Sequence, residues 1–245
     1  MGPAAGHSPG ENPGARAEGT VFIGVGAVVV AAGNSSRMGG VDKIFALLLG
    51  LPLIAFTLDQ LESFPPVTEV ALVLSPDSQE RGRELVQRRG YHKVQRICPG
   101  GPRRQDSVRR GLESLSPCQW VIVHDGARPC LDQSVLRRGL AAAAESGAAV
   151  AGVPVKDTIK VVSPQNFVVS TPDRETLWAA QTPQVFRYDL LWDAHRRCAQ
   201  PVTDDAAMVE SLGHPVQMFL GSYENFKVTT SEDLALAEAI LRSRM

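Results

Sequence analysis

Residues 26–43 combine small side chains with two cations directly after an apolar run. The segment reads GAVVVAAGNSSRMGGVDK, in which the apolar stretch ends at Ala32 and is followed by Arg37 and Lys43. Small residues let backbone N–H groups approach a polyphosphate closely, and the two cations add positive charge. The segment therefore predicts a phosphate-binding loop, although a surface loop with two solvated cations would have the same composition.

The two common phosphate-binding sequences are absent. GxxxxGK[ST] does not occur, and Gly24 and Gly26 precede the apolar run instead of following it as GxGxxG. A dinucleotide-dependent oxidoreductase would also need an acidic residue at the end of the next strand, where this chain has LSP at 74–76. The sequence thus argues against that class of enzyme.

Three further segments place glycine and charge after a predicted strand. They are PGGPRRQDSV at 99–108, HDGARP at 124–129 and ENFKVT at 224–229. The first could present a helix N-terminus to an anion, or simply start a helix capped by Asp106. Asp125 could bind a ribose hydroxyl, a substrate hydroxyl or Mg²⁺, or it could only pair with Arg128. Lys227 alone would be a solvated surface lysine; it predicts phosphate binding only together with other cations that contact the same phosphates.

The elements that would position these segments alternate between strand and helix. Strands are predicted at 28–32, 69–75, 94–98, 120–124, 149–153 and 216–220. Helices are predicted at 53–63, 78–89, 106–113, 133–146, 188–198, 204–213 and 231–242, the last with Ser231 as N-cap. This order is typical of an α/β fold with a mostly parallel sheet. Between Lys156 and Val169 the chain predicts a protruding hairpin with a Ser-Pro-Gln-Asn turn.

Size and composition narrow the class of protein. The chain has 245 residues, 44% of them hydrophobic, which is enough for one large α/β domain at 21–245. Residues 1–20, rich in Gly, Pro and Ala, predict a disordered tail. A net charge of −1 favours neither nucleic acid nor an anionic membrane as partner, and the apolar segment 21–32 is too short to span a bilayer. Four cysteines without a CxxC pair predict reduced thiols and a cytoplasmic protein.

Several motifs in one order carry a resemblance to a known family. They are AAGxSxRM with a later DK, GGxxRxDSV, HDGARP and ENFKVT, joined by VKDTIK at 155–160, TPDRETLWAAQTPQ at 171–184 and TDDAAMVE at 203–210. Over about residues 26–243 the chain resembles the 2-C-methyl-D-erythritol 4-phosphate cytidylyltransferases of the non-mevalonate isoprenoid pathway. The resemblance implies a Rossmann-like three-layer α/β domain, like that of nucleotide-diphospho-sugar transferases, with a mostly parallel sheet. It also implies a protruding β-arm at about 155–180 that makes a homodimer.

The resemblance implies a reaction between two small molecules. The phosphate of methylerythritol phosphate attacks the α-phosphorus of CTP with the help of Mg²⁺, and pyrophosphate leaves. Such a transfer asks the protein mainly for alignment and charge stabilisation. Because the attacking phosphate is already ionised, no general base is needed, and His124 is predicted to be structural. The implied catalytic residues are Arg37, Lys43, Arg174 and Lys227.

The resemblance also implies binding residues for both substrates. Those expected at CTP are Ala31, Ala32, Gly33, Gly100, Gly101, Arg104, Ser107, Asp125 and Gly126. Those expected at the polyol phosphate are Asp125, Arg128, Asp157, Thr158, Arg174, Thr182 and Thr203. The arm residues among them would reach the partner subunit's site, and Asp125 is the candidate ligand of Mg²⁺. The chain departs from the family in three places, with Ile44 where glutamine is usual, GGVD at 39–42 where a more polar segment is usual, and Gly126 where alanine is usual.

Two other functions compete with this interpretation. A cytidylyltransferase for another polyol phosphate, such as ribitol 5-phosphate, would use the same chemistry on a related fold. A non-catalytic nucleotide-binding protein would keep the fold without turnover. DSV after Arg104 and ARP after Gly126 favour methylerythritol phosphate as the substrate, and the four implied catalytic cations together favour an enzyme.

Overall fold

The architecture comes from a computed structural model that describes residues 24–33 and 43–245. The strands are β1 (Val25–Ala31), β2 (Leu47–Leu48), β3 (Leu51–Pro52), β4 (Val67–Leu74), β5 (Val94–Pro99), β6 (Trp120–Asp125), β7 (Ala148–Pro154), β8 (Val161–Val162), β9 (Val168–Ser170), β10 (Trp178–Arg187) and β11 (Gln217–Leu220). The helices are α1 (Leu53–Glu62), α2 (Gln79–Arg89), α3 (Arg104–Ser114), α4 (Gln133–Ser146), α5 (Tyr188–Arg197), α6 (Asp205–Ser211) and α7 (Ser231–Ser243). The predicted tail at 1–20 and Arg37 lie outside the described residues.

Seven strands form one central sheet, in the order β11-β7-β10-β6-β1-β4-β5. β1 pairs in parallel with both β4 and β6, β4 with β5, and β7 with β11. β10 runs antiparallel between β6 and β7. The predicted α/β class with a mostly parallel sheet is therefore confirmed.

Alternate residues of the central strands are buried on opposite faces of the sheet. In β1, Val25, Ala27 and Val29 pack with residues of α1, α2 and α4, whereas Val28 packs with residues of α3, α5 and α6. A strand has a period of two residues, so an unbroken apolar run supplies both faces. This gives the three layers, and it explains why the run in β1 shows no alternation of polar residues.

The helix α7 packs against a smaller apolar cluster outside the two main layers. The cluster joins Leu48, Leu53, Cys130, Val228 and Ala237. Val228 donates its backbone N–H to the Ala127 carbonyl at 2.8 Å, which ties the segment before α7 to the loop after β6. The position of Lys227 is thereby fixed relative to the end of β6.

The predicted hairpin is present as β8 and β9. The Asn166 N–H donates to the Ser163 carbonyl at 2.9 Å, and Asn166 has a φ of 64°, as a tight turn requires. The hairpin carries apolar side chains that are largely exposed, at Val161, Val162, Phe167, Val168 and Val169. An apolar surface of this kind on a protruding element is typical of a protein interface.

Two local predictions about helix caps are wrong, and one strand was missed. Thr230, not Ser231, is the N-cap of α7, because its hydroxyl accepts from the Asp233 N–H at 3.2 Å and its own N–H donates to that carboxylate at 3.0 Å. At α3, Asp106 is the third helical residue and accepts from the N–H of the N-cap, Arg103, at 3.1 Å. The strand β10 was not predicted at all.

The parallel strands bring three segments of interest to one edge of the sheet. Val30 of β1 lies beside Asp125 of β6, and Ala31 lies beside Leu74, which in turn lies beside Pro99 of β5. The chain leaves β1 towards β4 on one side, while β6 occupies the other side. Such a switch point between strands is where open α/β sheets bind ligands. Over residues 24–33 and 43–245, no helix has the length and apolar character needed to cross a membrane.

Candidate active site

Two adjoining clefts open where β1 and β6 end. The first cleft has a volume of about 280 Å³ and is lined mainly by the loops after β1, β5 and β6. The second cleft has a volume of about 260 Å³ and is lined by parts of β10 and the segment before α6. Arg104, Asp125 and Lys227 line both clefts and therefore form their common wall.

The floor of the first cleft depends on a close approach between two loops. A Cβ atom on Gly100 would lie 2.1 Å from the Cβ of Ala32, so only glycine allows the loop after β5 to meet the loop after β1. The next residue, Gly101, donates its N–H to Ser107 Oγ at 3.0 Å, and that hydroxyl donates to the Arg103 carbonyl at 3.2 Å. One lone pair of Ser107 Oγ is left to accept from a ligand.

Lys43 is carried into the first cleft by a short 3-10 turn at 43–45. The next two residues of the turn, Ile44 and Phe45, are buried in the core beneath it. Ile44 thus anchors the turn through apolar packing. A lysine on an anchored turn loses less conformational freedom when it binds a phosphate.

Asp125 lies among three cations on the common wall. Its Oδ1 is 3.2 Å from Arg104 Nε, and its Oδ2 is 3.0 Å from Lys227 Nζ and 3.6 Å from Arg128 Nε. Burial by itself would raise the pKa of this carboxyl, but the charges of Arg104, Lys227 and Arg128 outweigh burial and hold the pKa well below its usual range. Asp125 is consequently ionised. It contacts Arg104 and Lys227 as well as Arg128, so its role is wider than a pair with Arg128.

A buried hydrogen-bond chain supports Asp125 from behind. Its backbone N–H donates to Thr182 Oγ1 at 3.0 Å, and that oxygen lies 3.0 Å from His124 Nδ1. His124 Nε2 lies 3.4 Å from the Arg128 carbonyl. Since a carbonyl only accepts, Nε2 carries the hydrogen and the Thr182 hydroxyl donates to Nδ1. Burial lowers the pKa of His124 to about 4, so the ring is neutral and acts structurally, in agreement with the prediction.

The second cleft is bounded by polar side chains, several of which the sequence did not single out. Gln184 donates to Asp204 Oδ2 at 2.8 Å, and its own amide oxygen accepts from the Ala206 N–H at 3.1 Å, which positions the start of α6. Gln181 donates to the Ser222 carbonyl at 2.9 Å. The two adjacent carboxylates of TDDAAMVE, at the start of a predicted helix, were the signal available in the sequence for Asp204.

The structure brings together most of the predicted site residues that it describes. Those that line the first cleft are Ala31, Ala32, Gly33, Lys43, Gly101, Arg104, Ser107, Asp125 and Lys227. Those that line the second cleft are Arg104, Asp125, Arg128, Thr182, Thr203 and Lys227. Gly100 and Gly126 support the walls by close packing on Ala32 and Ala31.

Three predicted residues do not reach either cleft of their own chain. Asp157, Thr158 and Arg174 are exposed and lie on the segments that flank the hairpin. Arg174 Nη1 donates to the Lys156 carbonyl at 2.8 Å, which ties the two flanking segments together. Within one chain these residues are therefore part of the arm and not of the clefts.

Comparisons with known proteins identify what the chain is similar to. The family model described as IspD, 2-C-methyl-D-erythritol 4-phosphate cytidylyltransferase, matches residues 25–243. The enzyme of that name from Dehalococcoides mccartyi is 51% identical over 218 residues, which cover 89% of this chain and 96% of the relative.

Solved structures agree with the sequence comparisons. The 2-C-methyl-D-erythritol 4-phosphate cytidylyltransferase of Thermus thermophilus is 35% identical with a TM-score of 0.71, over 89% of this chain and 99% of that chain. The 4-diphosphocytidyl-2C-methyl-D-erythritol synthase of Anaerococcus prevotii is 27% identical with a TM-score of 0.79, over 89% of this chain and 98% of that chain. The similarity in both sequence and fold thus extends over the whole sheet and both clefts.

Proposed function

The chain belongs to the 2-C-methyl-D-erythritol 4-phosphate cytidylyltransferase family, and from this premise we propose how its two clefts share the reaction. The first cleft binds CTP and the second binds methylerythritol phosphate. The observation that carries the proposal is the wall common to both clefts, where Arg104, Arg128 and Lys227 surround one carboxylate, Asp125. Reacting phosphates would meet at this wall.

The chemical step joins two phosphates and needs no proton transfer. An ionised phosphate oxygen of the polyol phosphate bonds to the α-phosphorus of CTP, and the bond from that phosphorus to the bridging oxygen breaks to release pyrophosphate. Negative charge builds on the α-phosphoryl and bridging oxygens during the step. Lys43 is assigned to that charge because it lines the first cleft. Arg37, which is outside the described residues, is assigned with it because it lies between β1 and Lys43 in the sequence.

Lys227 is assigned to the attacking phosphate. Its side chain is 40% exposed and lines both clefts while it remains 3.0 Å from Asp125 Oδ2. An ammonium group held by a buried anion is positioned before the substrate arrives, so less entropy is lost on binding. Thr182, Thr203 and Arg128 line the second cleft and are assigned to the polyol phosphate.

A magnesium ion fits this site only as a partner of the triphosphate. The described part of the chain contains no group of three His, Cys, Asp or Glu side chains arranged to bind a metal. Mg²⁺ is commonly bound by one or two carboxylates together with substrate phosphates and water. Asp125, which is ionised and lines the first cleft, is the residue that would hold it. When bound, the ion would neutralise charge on the phosphates.

We also propose that residues 21–245 form one domain that dimerises through the arm at about 155–180 and works in the cytoplasm. Support for the dimer comes from the exposed apolar hairpin and from the position of Arg174, Asp157 and Thr158 outside the clefts of their own chain. In a dimer these residues would complete the partner's second cleft. All four cysteines are unpaired, which is compatible with a reducing compartment.

The proposal is tested by following pyrophosphate release from the purified protein with CTP and Mg²⁺. Three parallel reactions contain methylerythritol 4-phosphate, ribitol 5-phosphate or no alcohol phosphate. Release with methylerythritol 4-phosphate alone is the expected result. Release with ribitol 5-phosphate alone would keep the chemistry and overturn the substrate, whereas CTP binding without release in any reaction would favour a non-catalytic protein.

A further inference from the structure

A carboxylate behind the common wall touches neither cleft. Asp205, the first residue of α6, has a side chain that is 0% exposed and lines neither cleft. Its Oδ2 accepts from Arg104 Nη1 at 2.7 Å, and its Oδ1 accepts from His195 Nε2 at 3.2 Å. Both carboxylate oxygens of Asp205 therefore have partners: Arg104, which lines the clefts, and the buried His195.

Asp205 is charged in spite of its burial. Burial alone would raise the pKa of this carboxyl, but Arg104 and His195 lower it below its ordinary value. A buried ion pair is seldom a better source of stability than apolar side chains of the same volume. The Asp205–Arg104 pair is thus better explained by the orientation that it gives the Arg104 guanidinium than by a contribution to folding.

Arg104 is held from two sides by groups on different elements. Nε contacts Asp125 at the end of β6, and Nη1 contacts Asp205 at the start of α6. A planar guanidinium bound through two of its three nitrogens has a fixed orientation. The third nitrogen, Nη2, is buried and has no hydrogen-bond partner among the described residues, although the side chain lines both clefts.

We infer that Asp205 and His195 are positioning residues for the nucleotidyl transfer, an inference that rests on the proposed function. Asp205 sets the plane of Arg104 where that side chain lines both clefts and meets the reacting phosphates, and His195 holds Asp205 in place. Asp205 also affects how the Asp125 carboxylate divides its contacts between Arg104 and Lys227. An Arg104 released from Asp205 would turn a second nitrogen towards Asp125 and compete there with Lys227, which sits 3.0 Å away.

The first experiment compares Asp205→Asn with a matched control. The control is Glu69→Gln, which neutralises another buried carboxylate that pairs with an arginine, Arg96, at 3.4 Å and lies outside both clefts. In steady-state assays with CTP and methylerythritol 4-phosphate, we expect Asp205→Asn to lower kcat/KM about 10- to 100-fold, the scale of a small misplacement in an active site. Glu69→Gln is expected to leave it unchanged. An inactive wild type would instead defeat the proposed function.

A second pair of variants keeps the test informative if Asp205→Asn fails to fold. His195→Gln retains an N–H donor for Asp205, whereas His195→Leu removes it. We expect His195→Leu to lower kcat/KM and His195→Gln to restore most of the loss, with both proteins folded by circular dichroism. Equal, wild-type kinetics in both variants would remove His195 from the proposal.

A coupling measurement separates positioning from simple structural support. If Asp205 acts through Arg104, adding Asp205→Asn to an Arg104→Gln background produces little further loss of kcat/KM. A residue that only supported the fold would lower activity by the same factor in both backgrounds. Equal factors, or unchanged kinetics in Asp205→Asn alone, would overturn the inference.

Discussion

At the level of single residues, the ionised Asp125 positions neighbouring cations and is not suited to transfer a proton. The low pKa of Asp125 makes it a poor base, and the pKa of about 4 for His124 leaves that ring neutral and buried. Neither residue is suited to remove a proton, and an ionised phosphate nucleophile has none to lose. The polar interior behind the clefts therefore fixes the cations that line the clefts.

Loss of Lys43 tests whether these cations act on the transition state. We expect Lys43→Ala to lower kcat by about 100- to 1,000-fold, the effect of removing one group that stabilises developing charge, while the affinity for CTP changes much less. Steady-state kinetics and calorimetric CTP binding measure the two effects. Arg109→Ala is the control, since this exposed arginine of α3 pairs with Glu113 and lines neither cleft. A Lys43→Ala enzyme with normal kcat would contradict the assignment.

His124 should make the fold sensitive to acid. Its pKa in the folded state is about 4, below the ordinary 6.5, so the unfolded chain binds more protons between these values and stability falls as pH drops from 6.5 to 4. The difference corresponds to about 3 kcal/mol of unfolding free energy. We expect urea unfolding of His124→Gln to lose part of this pH dependence, and that of the exposed-residue control His214→Gln to retain it. Identical pH slopes in all three proteins would contradict the prediction.

The sequence predicted that residues at strand ends would come together, because parallel strands end at one edge of a sheet. Ala31 and Asp125 were found in this way, and neighbouring strands do bring them to one cleft. Asp205 could not be found, since its contact with Arg104 joins residues 101 positions apart. Only the packing of α6 against the sheet reveals that pair.

At the level of elements, the missed strand β10 shows where pattern reasoning fails. Its sequence WAAQTPQVFR mixes polar and apolar residues without a clear period, and Pro183 argues against a central strand. The structure accommodates the proline where the pairing of β10 with β7 is interrupted, between Ala180 and Gln184. The same interruption places Gln181 and Thr182 on the second cleft. A local irregularity that the sequence could not predict thus builds part of the site.

The start of α7 offers a test of the corrected N-cap. Thr230→Ala removes the hydroxyl that accepts from the Asp233 N–H, and we expect a loss of about 1 kcal/mol in the free energy of unfolding. Ser231→Ala is the matched control, because the Ser231 hydroxyl donates to the exposed Glu232 carboxylate and accepts from no helix-end backbone N–H among the described residues. Denaturant unfolding measures both. A larger loss for Ser231→Ala than for Thr230→Ala would restore Ser231 as the cap.

At the level of the whole molecule, the proposed division of labour requires two chains. The clefts contain Lys43 and Lys227, while Arg174 lies on the exposed arm of the same chain. The hairpin exposes 75% of Phe167 and 66% of Val169, a large apolar surface for so small an element. Burying that surface against a second copy would gain hydrophobic free energy and would bring a second arm near a cleft.

A charged side chain introduced on the hairpin should therefore prevent dimerisation and, as a result, abolish activity. We expect Phe167→Asp to sediment as a folded monomer with little turnover, because an isolated charge cannot be buried in an apolar interface. Leu236→Asp is the control, since Leu236 is 53% exposed on α7 and outside the arm. Mixing inactive Arg174→Ala with inactive Lys43→Ala sharpens the test. A mixed dimer would join an intact cleft to an intact arm from the other chain, so activity should return. A fully active Phe167→Asp monomer, or no recovery from mixed dimers, would show that the arm acts elsewhere.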